Sequence, residues 1–141
     1  MKAVIGITST VIPMMDFDNC ELEKTIRLAR KAMKKFKLEG FAVVMSSKNN
    51  YHVVFNKLCK RYPKCIKIMA WLALNVNTIE AYKYLCLQII KQAATLRLSK
   101  KAEKPRPKVI YVEGKYDKGI KIYYEYYLMV KEFEREVEES G

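Results

Sequence analysis

The chain has 141 residues, enough for one domain, and half of them are hydrophobic, so a packed core is expected. Gly and Pro number only 5 and 4, which excludes a fibrous or disordered chain, and no apolar run reaches the length of a membrane span. The net charge of +12, from 27 basic and 15 acidic side chains, points to a polyanionic partner, nucleic acid ahead of an anionic membrane.

Residues 1–7 form too short an apolar run for a signal peptide and read as a strand. Residues 2–17 are rich in Val, Ile, Thr and Met, with Pro13 interrupting. They predict a strand ending at Asp16 and Asp18, with room for a separate short strand before it. Residues 20–37 predict a helix, because Leu22, Ile26, Ala29, Met33 and Phe36 recur at helical spacing. Asp18 or Asn19 is placed to cap it, and Gly40 to end the connection that follows.

Residues 41–45 and 51–55 are apolar strand-type runs separated by Ser46-Ser47-Lys48-Asn49-Asn50, which predicts a hairpin. Asn49 and Asn50 tolerate positive φ better than most residues. Pro63 divides residues 56–75, with a helix expected after it. Residues 78–95 predict a second strong helix, with Thr78 as cap and Ile79, Tyr82, Leu85, Cys86, Ile89, Ile90 and Ala93 facing inward. Residues 97–108 read as a basic loop, 109–112 as a last strand, and 120–138 as a tyrosine-rich helix with acidic final turns.

The order strand, helix, strand, strand, helix, strand matches a βαββαβ unit: an α+β, RRM or ferredoxin-like antiparallel sheet with helices on one face. Residues 1–113 would form this core of a single domain over 1–141, with residues 118–139 as a C-terminal helix. The four cysteines, Cys20, Cys59, Cys65 and Cys86, form no C-x-x-C pair, so reduced thiols in a cytoplasmic protein are expected.

Residues two apart on a strand share a face, so Asp16 and Asp18 would project together. Paired carboxylates suit a hard divalent ion such as Mg²⁺ or Mn²⁺. Asp-x-Asp before a helix is often only a turn with an N-cap. His52 is the only histidine, and it lies on one face of its strand. Ser46, Ser47 and Lys48 in the preceding turn offer hydroxyls, backbone N–H groups and a cation to phosphate oxygens. Arg97, Lys100, Lys101, Lys104 and Arg106 have the density expected for backbone phosphate contacts. Tyr123, Tyr124, Tyr126 and Tyr127 suit packing, an interface, or base stacking.

Asp-x-Asp at a strand end, then a helix, then a hairpin bearing Ser-x-x-x-x-Tyr-His, resembles the archaeo-eukaryotic primase superfamily, including the primase-polymerases of archaeal plasmids and viruses. The resemblance covers roughly residues 10–113. It implies an RRM-like catalytic unit that transfers nucleotides from nucleoside triphosphates onto DNA or RNA. It also implies metal binding by Asp16 and Asp18, and contact of His52 with the incoming phosphates. The family's third carboxylate has its nearest candidate in Glu113, with Glu80 less suitably placed. The turn lacks the family's glycine before the histidine. A replication partner or a second copy of the chain, and no membrane, complete the expectation. The alternative is a non-catalytic nucleic-acid-binding module on the same fold. A rolling-circle endonuclease resembles the chain less, since such enzymes typically use a pair of metal-binding histidines.

Overall fold

A computed structural model describes residues 4–140. The part of the first predicted strand over residues 1–3 lies outside them. The elements are β1 (Gly6–Ser9), β2 (Met14–Phe17), α1 (Leu22–Lys35), β3 (Gly40–Ser47), β4 (Asn50–Phe55), α2 (Tyr62–Val76), α3 (Ile79–Lys91), β5 (Ala94–Arg97), β6 (Lys108–Gly114) and α4 (Gly119–Ser140). The fold is α+β. Four strands form an antiparallel sheet in the order β2-β4-β3-β6, and β1 pairs with β5 in a second antiparallel sheet.

Local chemistry explains the breaks. The first predicted strand is two strands, β1 and β2. After β1 the chain turns where the Ser9 hydroxyl accepts hydrogen bonds from the backbone N–H groups of Val11 and Ile12, at 3.1 and 3.0 Å. Pro13, which has no N–H to give a ladder, stands just before β2. Asn49 has φ 62° in the β3–β4 turn, as its side chain allows. Pro63 sits in the first turn of α2, where a missing N–H costs nothing. Thr78 caps α3, its hydroxyl accepting from Ala81 N–H at 3.2 Å.

Several expectations are corrected. The cap position of α1 is Glu21 and makes no side-chain cap bond, so neither Asp18 nor Asn19 caps this helix. Gly40 stands where the connection after α1 ends and β3 begins, as expected. The second long helix ends at Lys91, and Ala94–Arg97, expected as helix end and loop, is strand β5. The last strand expected over residues 109–112 is β6, and it lies on the edge of the four-stranded sheet against β3.

Cross-strand partners share a face, so the register sorts the side chains. Met15, Phe17, Tyr51, Val53, Phe41, Val43, Tyr111 and Glu113 lie on one face, which packs against α1 and α2. Met14, Asp16, His52, Val54, Ala42, Val44 and Val112 lie on the other. Helix α4 crosses that second face, contacting β4 and burying Ile120, Tyr123, Tyr127 and Val130. Helices therefore cover both faces rather than one. Fully buried Asn56 fastens the start of α4: its Nδ2 donates to Asp117 Oδ1 at 3.0 Å, and its Oδ1 accepts from Lys118 N–H at 2.7 Å.

Helix α3 contradicts its pattern. Only Ala81 and Gln88 are buried along it. Ile79, Ile89 and Ile90, expected inside, are 68%, 46% and 78% exposed. Its inward face is polar at the centre, where the Gln88 amide donates to Tyr84 O and accepts from Thr95 N–H, both at 3.0 Å.

Candidate phosphate and metal site

Helix α4 leaves the β2 end of the second face uncovered. A pocket of about 270 Å³ opens there, lined by Asp16, Asp18, Ser46 and His52 from one side and by Arg97, Lys101 and Lys104 from the other. Strand β2 supplies Asp16, and β4 supplies His52 directly opposite it in register. The hairpin fixes that pairing. Asn50 Oδ1 accepts from Asn19 N–H, and Asn49 O accepts from Cys20 N–H, both at 2.9 Å, so the Asp-x-Asp turn is tied to the β3–β4 turn.

Burial sets the electrostatics. His52 is 5% exposed, and burial, with the nearby Arg97 charge, depresses its pKa to about 3. It is therefore neutral, and its Nε2, 3.8 Å from Asp16 Oδ1, makes no ion pair. Burial, followed by the negative charge of Asp18, raises the Asp16 carboxyl to about 8; Lys104 and Arg97 oppose that rise only in part. Asp16 Oδ1 and His52 Nδ1 are buried and find no hydrogen-bond partner among the described residues. Both residues line the pocket, and each keeps one buried polar atom without a partner there.

Asp16 and Asp18 fit a hard divalent ion that brings water or phosphate oxygens of its own. Among the described residues no group of three His, Cys, Asp or Glu side chains is placed to hold a metal unaided. The expected third carboxylate is not at the pocket. Glu113 lies on the opposite face, opposite Phe41 in register, where Arg30 Nε and a terminal guanidinium nitrogen clamp it at 2.9 and 2.6 Å. That clamp, with Tyr111, holds Glu113 down at about 2. Glu80 is exposed on α3, away from the pocket.

The small-residue turn contributes less than expected. Ser46 reaches the pocket, but its hydroxyl already donates to Asn50 O at 3.0 Å. Ser47 accepts from Asn50 Nδ2 at 2.7 Å, and Lys48 is exposed; neither lines the pocket. The basic loop divides. Arg97, Lys101 and Lys104 face the site, whereas Lys100 pairs with Glu138 and Arg106 pairs with Glu134, both on α4. A tight turn closed by reciprocal backbone bonds between Lys101 and Lys104, at 3.1 and 2.8 Å, presents two of the three cations.

The part of β5 was missed in the sequence. Its alternation was present: Ala94, Leu96 and Leu98 are buried, while Thr95 and Arg97 are half-buried and line the pocket. No protein-family model, curated protein or solved structure matches this chain.

Proposed function

We propose that this pocket binds the polyphosphate of a nucleoside triphosphate together with one Mg²⁺ or Mn²⁺, and that the protein is a primase-polymerase-like nucleotidyltransferase acting on DNA or RNA. The observation that carries this reading is the meeting of two carboxylates and three cations around one small pocket. A polyphosphate with a divalent ion needs both signs of charge at once.

The strand order supports the RRM-like part. Taken as two segments of one interrupted strand, β1 and β2 give the order β5, β1/β2, β4, β3, β6, with every neighbour antiparallel. That is the order of an RRM-like sheet with one strand added at the edge. In this reading β5 closes the unit, and β6 is the addition.

Asp16 and Asp18 would hold the metal ion, which supplies charge neutralisation and polarisation of phosphoryl oxygens when bound. Arg97, Lys101 and Lys104 neutralise the remaining phosphate oxygens. Neutral His52 donates its ring N–H to an oxygen of the substrate without adding charge. In the reaction a terminal hydroxyl oxygen of the growing strand attacks the α-phosphorus as its proton passes to solvent, and the bond to the leaving pyrophosphate breaks. The chain positions and screens charge; it contributes no covalent intermediate.

Template-directed incorporation of labelled nucleotides with Mg²⁺ or Mn²⁺ tests the reading. Incorporation lost in Asp16→Ala and Asp18→Ala supports it. Absence of both incorporation and metal-dependent triphosphate binding in the parent protein refutes it.

One observation favours a second reading, a non-catalytic nucleic-acid-binding module. Glu113 is engaged by Arg30 on the far face, and among the described residues Asp16 and Asp18 are the only acids that line the pocket. That reading expects salt-sensitive nucleic-acid binding that survives loss of both aspartates.

A further inference from the structure

Helices α1 and α2 cover the first face of the sheet, and the seam between them carries one sign of charge. Lys24 Nζ donates to Val76 O at 3.3 Å, tying the start of α1 to the end of α2. The rings of Phe36 and Trp71 meet edge to face at 6.2 Å, where the end of α1 lies against α2. The two helices therefore run antiparallel. At about 100° per residue, Lys31 and Lys35 fall on the same flank of α1 as Lys24, the flank that meets α2. Lys64 and Lys67 fall on the flank of α2 that carries Trp71 and meets α1. Lys60 and Arg61 stand just before α2.

All six of these cations are exposed, and none makes an ion pair among the described residues. No acidic side chain occurs between Glu39 and Glu80, so α2 and its approach have no countercharge of their own. The acids of the neighbouring elements are engaged or distant. Glu23 lies in the first turn of α1, Glu39 pairs with Lys118, and Glu113 pairs with Arg30. A merely solvated helix face mixes both signs, whereas Lys31 and Lys35 set like charges one turn apart, a spacing that repels. Arg61, at the cap position of α2, makes no side-chain cap bond, so the positive end of the helix dipole adds to the same field.

We propose that the seam between α1 and α2 binds the phosphate backbone of a nucleic-acid duplex. The charge selects a polyanion. The aromatic pair selects the duplex: Phe36 and Trp71 are half-buried and packed on each other, and Lys35 lies over the Phe36 ring, so neither ring is left flat and free for an unpaired base. Lysines and an arginine on two helices offer contacts to phosphates, which position a duplex without reading its sequence. Asp16 and His52 lie on the opposite face of the sheet, so this surface needs neither the metal nor the triphosphate. It rests on the proposed function only for the choice of nucleic acid as partner.

The test is fluorescence anisotropy of the full chain with a labelled, mixed-sequence DNA duplex of about 20 base pairs, over a range of salt and without metal or triphosphate. The parent protein is expected to bind with a steep salt dependence. Lys31→Gln, Lys35→Gln, Lys64→Gln and Lys67→Gln together are expected to flatten the logarithmic slope by about 3.6, at about 0.9 per lost contact, and to weaken binding at least about 100-fold at about 0.1 M salt. The circular dichroism spectrum is expected to stay unchanged, because all four side chains are exposed. A control that removes equal charge from exposed lysines elsewhere, Lys83→Gln, Lys108→Gln, Lys121→Gln and Lys131→Gln, is expected to keep the parent's slope. Equal losses in the two variants overturn the proposal. So does a parent protein that binds no duplex, or one that holds phosphatidylserine vesicles more tightly than the duplex through the same four lysines. Metal-dependent triphosphate binding is measured separately. Its absence beside intact duplex binding refutes the proposed function alone, and the reverse refutes this inference alone.

Discussion

Replacing Asp16 by Asn removes one buried acid while keeping its shape. The Asp16 carboxyl is held at about 8 against an ordinary 3.8, first by burial and then by Asp18. Between those values the folded chain keeps a proton that the unfolded chain has released. Stability therefore falls as pH rises through that window. From pH 6.5, the midpoint of an ordinary histidine, to pH 8 the window spans about 1.5 units. At about 1.4 kcal/mol per unit, Asp16 costs the fold about 2 kcal/mol over that interval. The side chain is 23% exposed, so this is an upper figure. Asp16→Asn is expected to gain this amount over the parent protein between pH 6.5 and 8, or about 5–8 °C in melting temperature for a domain of this size. Cys59, drawn down to about 7 beside Cys65, titrates in both proteins alike, so the difference between them isolates Asp16. Unfolding followed by circular dichroism at both pH values measures it. Saturating Mg²⁺ is expected to shrink the gap by stabilising the ionised parent. A difference that does not change with pH refutes the assignment of a buried, protonated Asp16.

His52→Gln is expected to flatten the acid limb of the stability profile. The buried imidazole refuses a proton that the unfolded chain takes up below 6.5, so the parent loses stability as pH falls from 6.5 toward 3; an unchanged acid limb in the variant would contradict this. Glu113→Gln is expected to cost no more than about 1 kcal/mol and to leave metal and triphosphate binding intact, because Glu113 serves Arg30 on the opposite face; calorimetric titration of Mg²⁺ and triphosphate checks it. Asn56→Ala leaves Lys118 N–H and Asp117 without their partner and is expected to cost about 2–3 kcal/mol, with hydrogen exchange rising first at the start of α4.

The juxtaposition of Asp16 and His52 was legible in the sequence because strands repeat every two residues and a five-residue polar turn dictates a hairpin. Two short periodic rules were enough to bring one carboxylate opposite one imidazole. The face of Glu113 was not legible. It depends on how β6 registers against β3 across a bulge between Val43 and Val44, and a single residue of slip reverses every side chain. Strand β5 was hidden because four residues between a helix and a basic loop carry too short an alternation to outweigh the preceding helical period. Helix α3 misled for a different reason. Its apolar period was correctly helical, but periodicity identifies a stripe without saying what it faces. The buried side chain Gln88, which would have reversed the orientation, reads as polar surface in any pattern.

The division of the basic loop limits how much of its charge nucleic acid would feel. Lys100 and Arg106 already have carboxylates of α4 as counterions, so they release few salt cations when a phosphate backbone arrives. Arg97, Lys101 and Lys104 remain. Binding governed by this loop should weaken with salt at a logarithmic slope near three phosphate contacts, about −2.7 for a duplex, rather than the five that its cations would suggest. Converting Glu134 and Glu138 to Gln would return the other two cations and steepen that slope. The acidic end of α4 would then act as a built-in competitor to a polyanion, setting how firmly the loop could hold one.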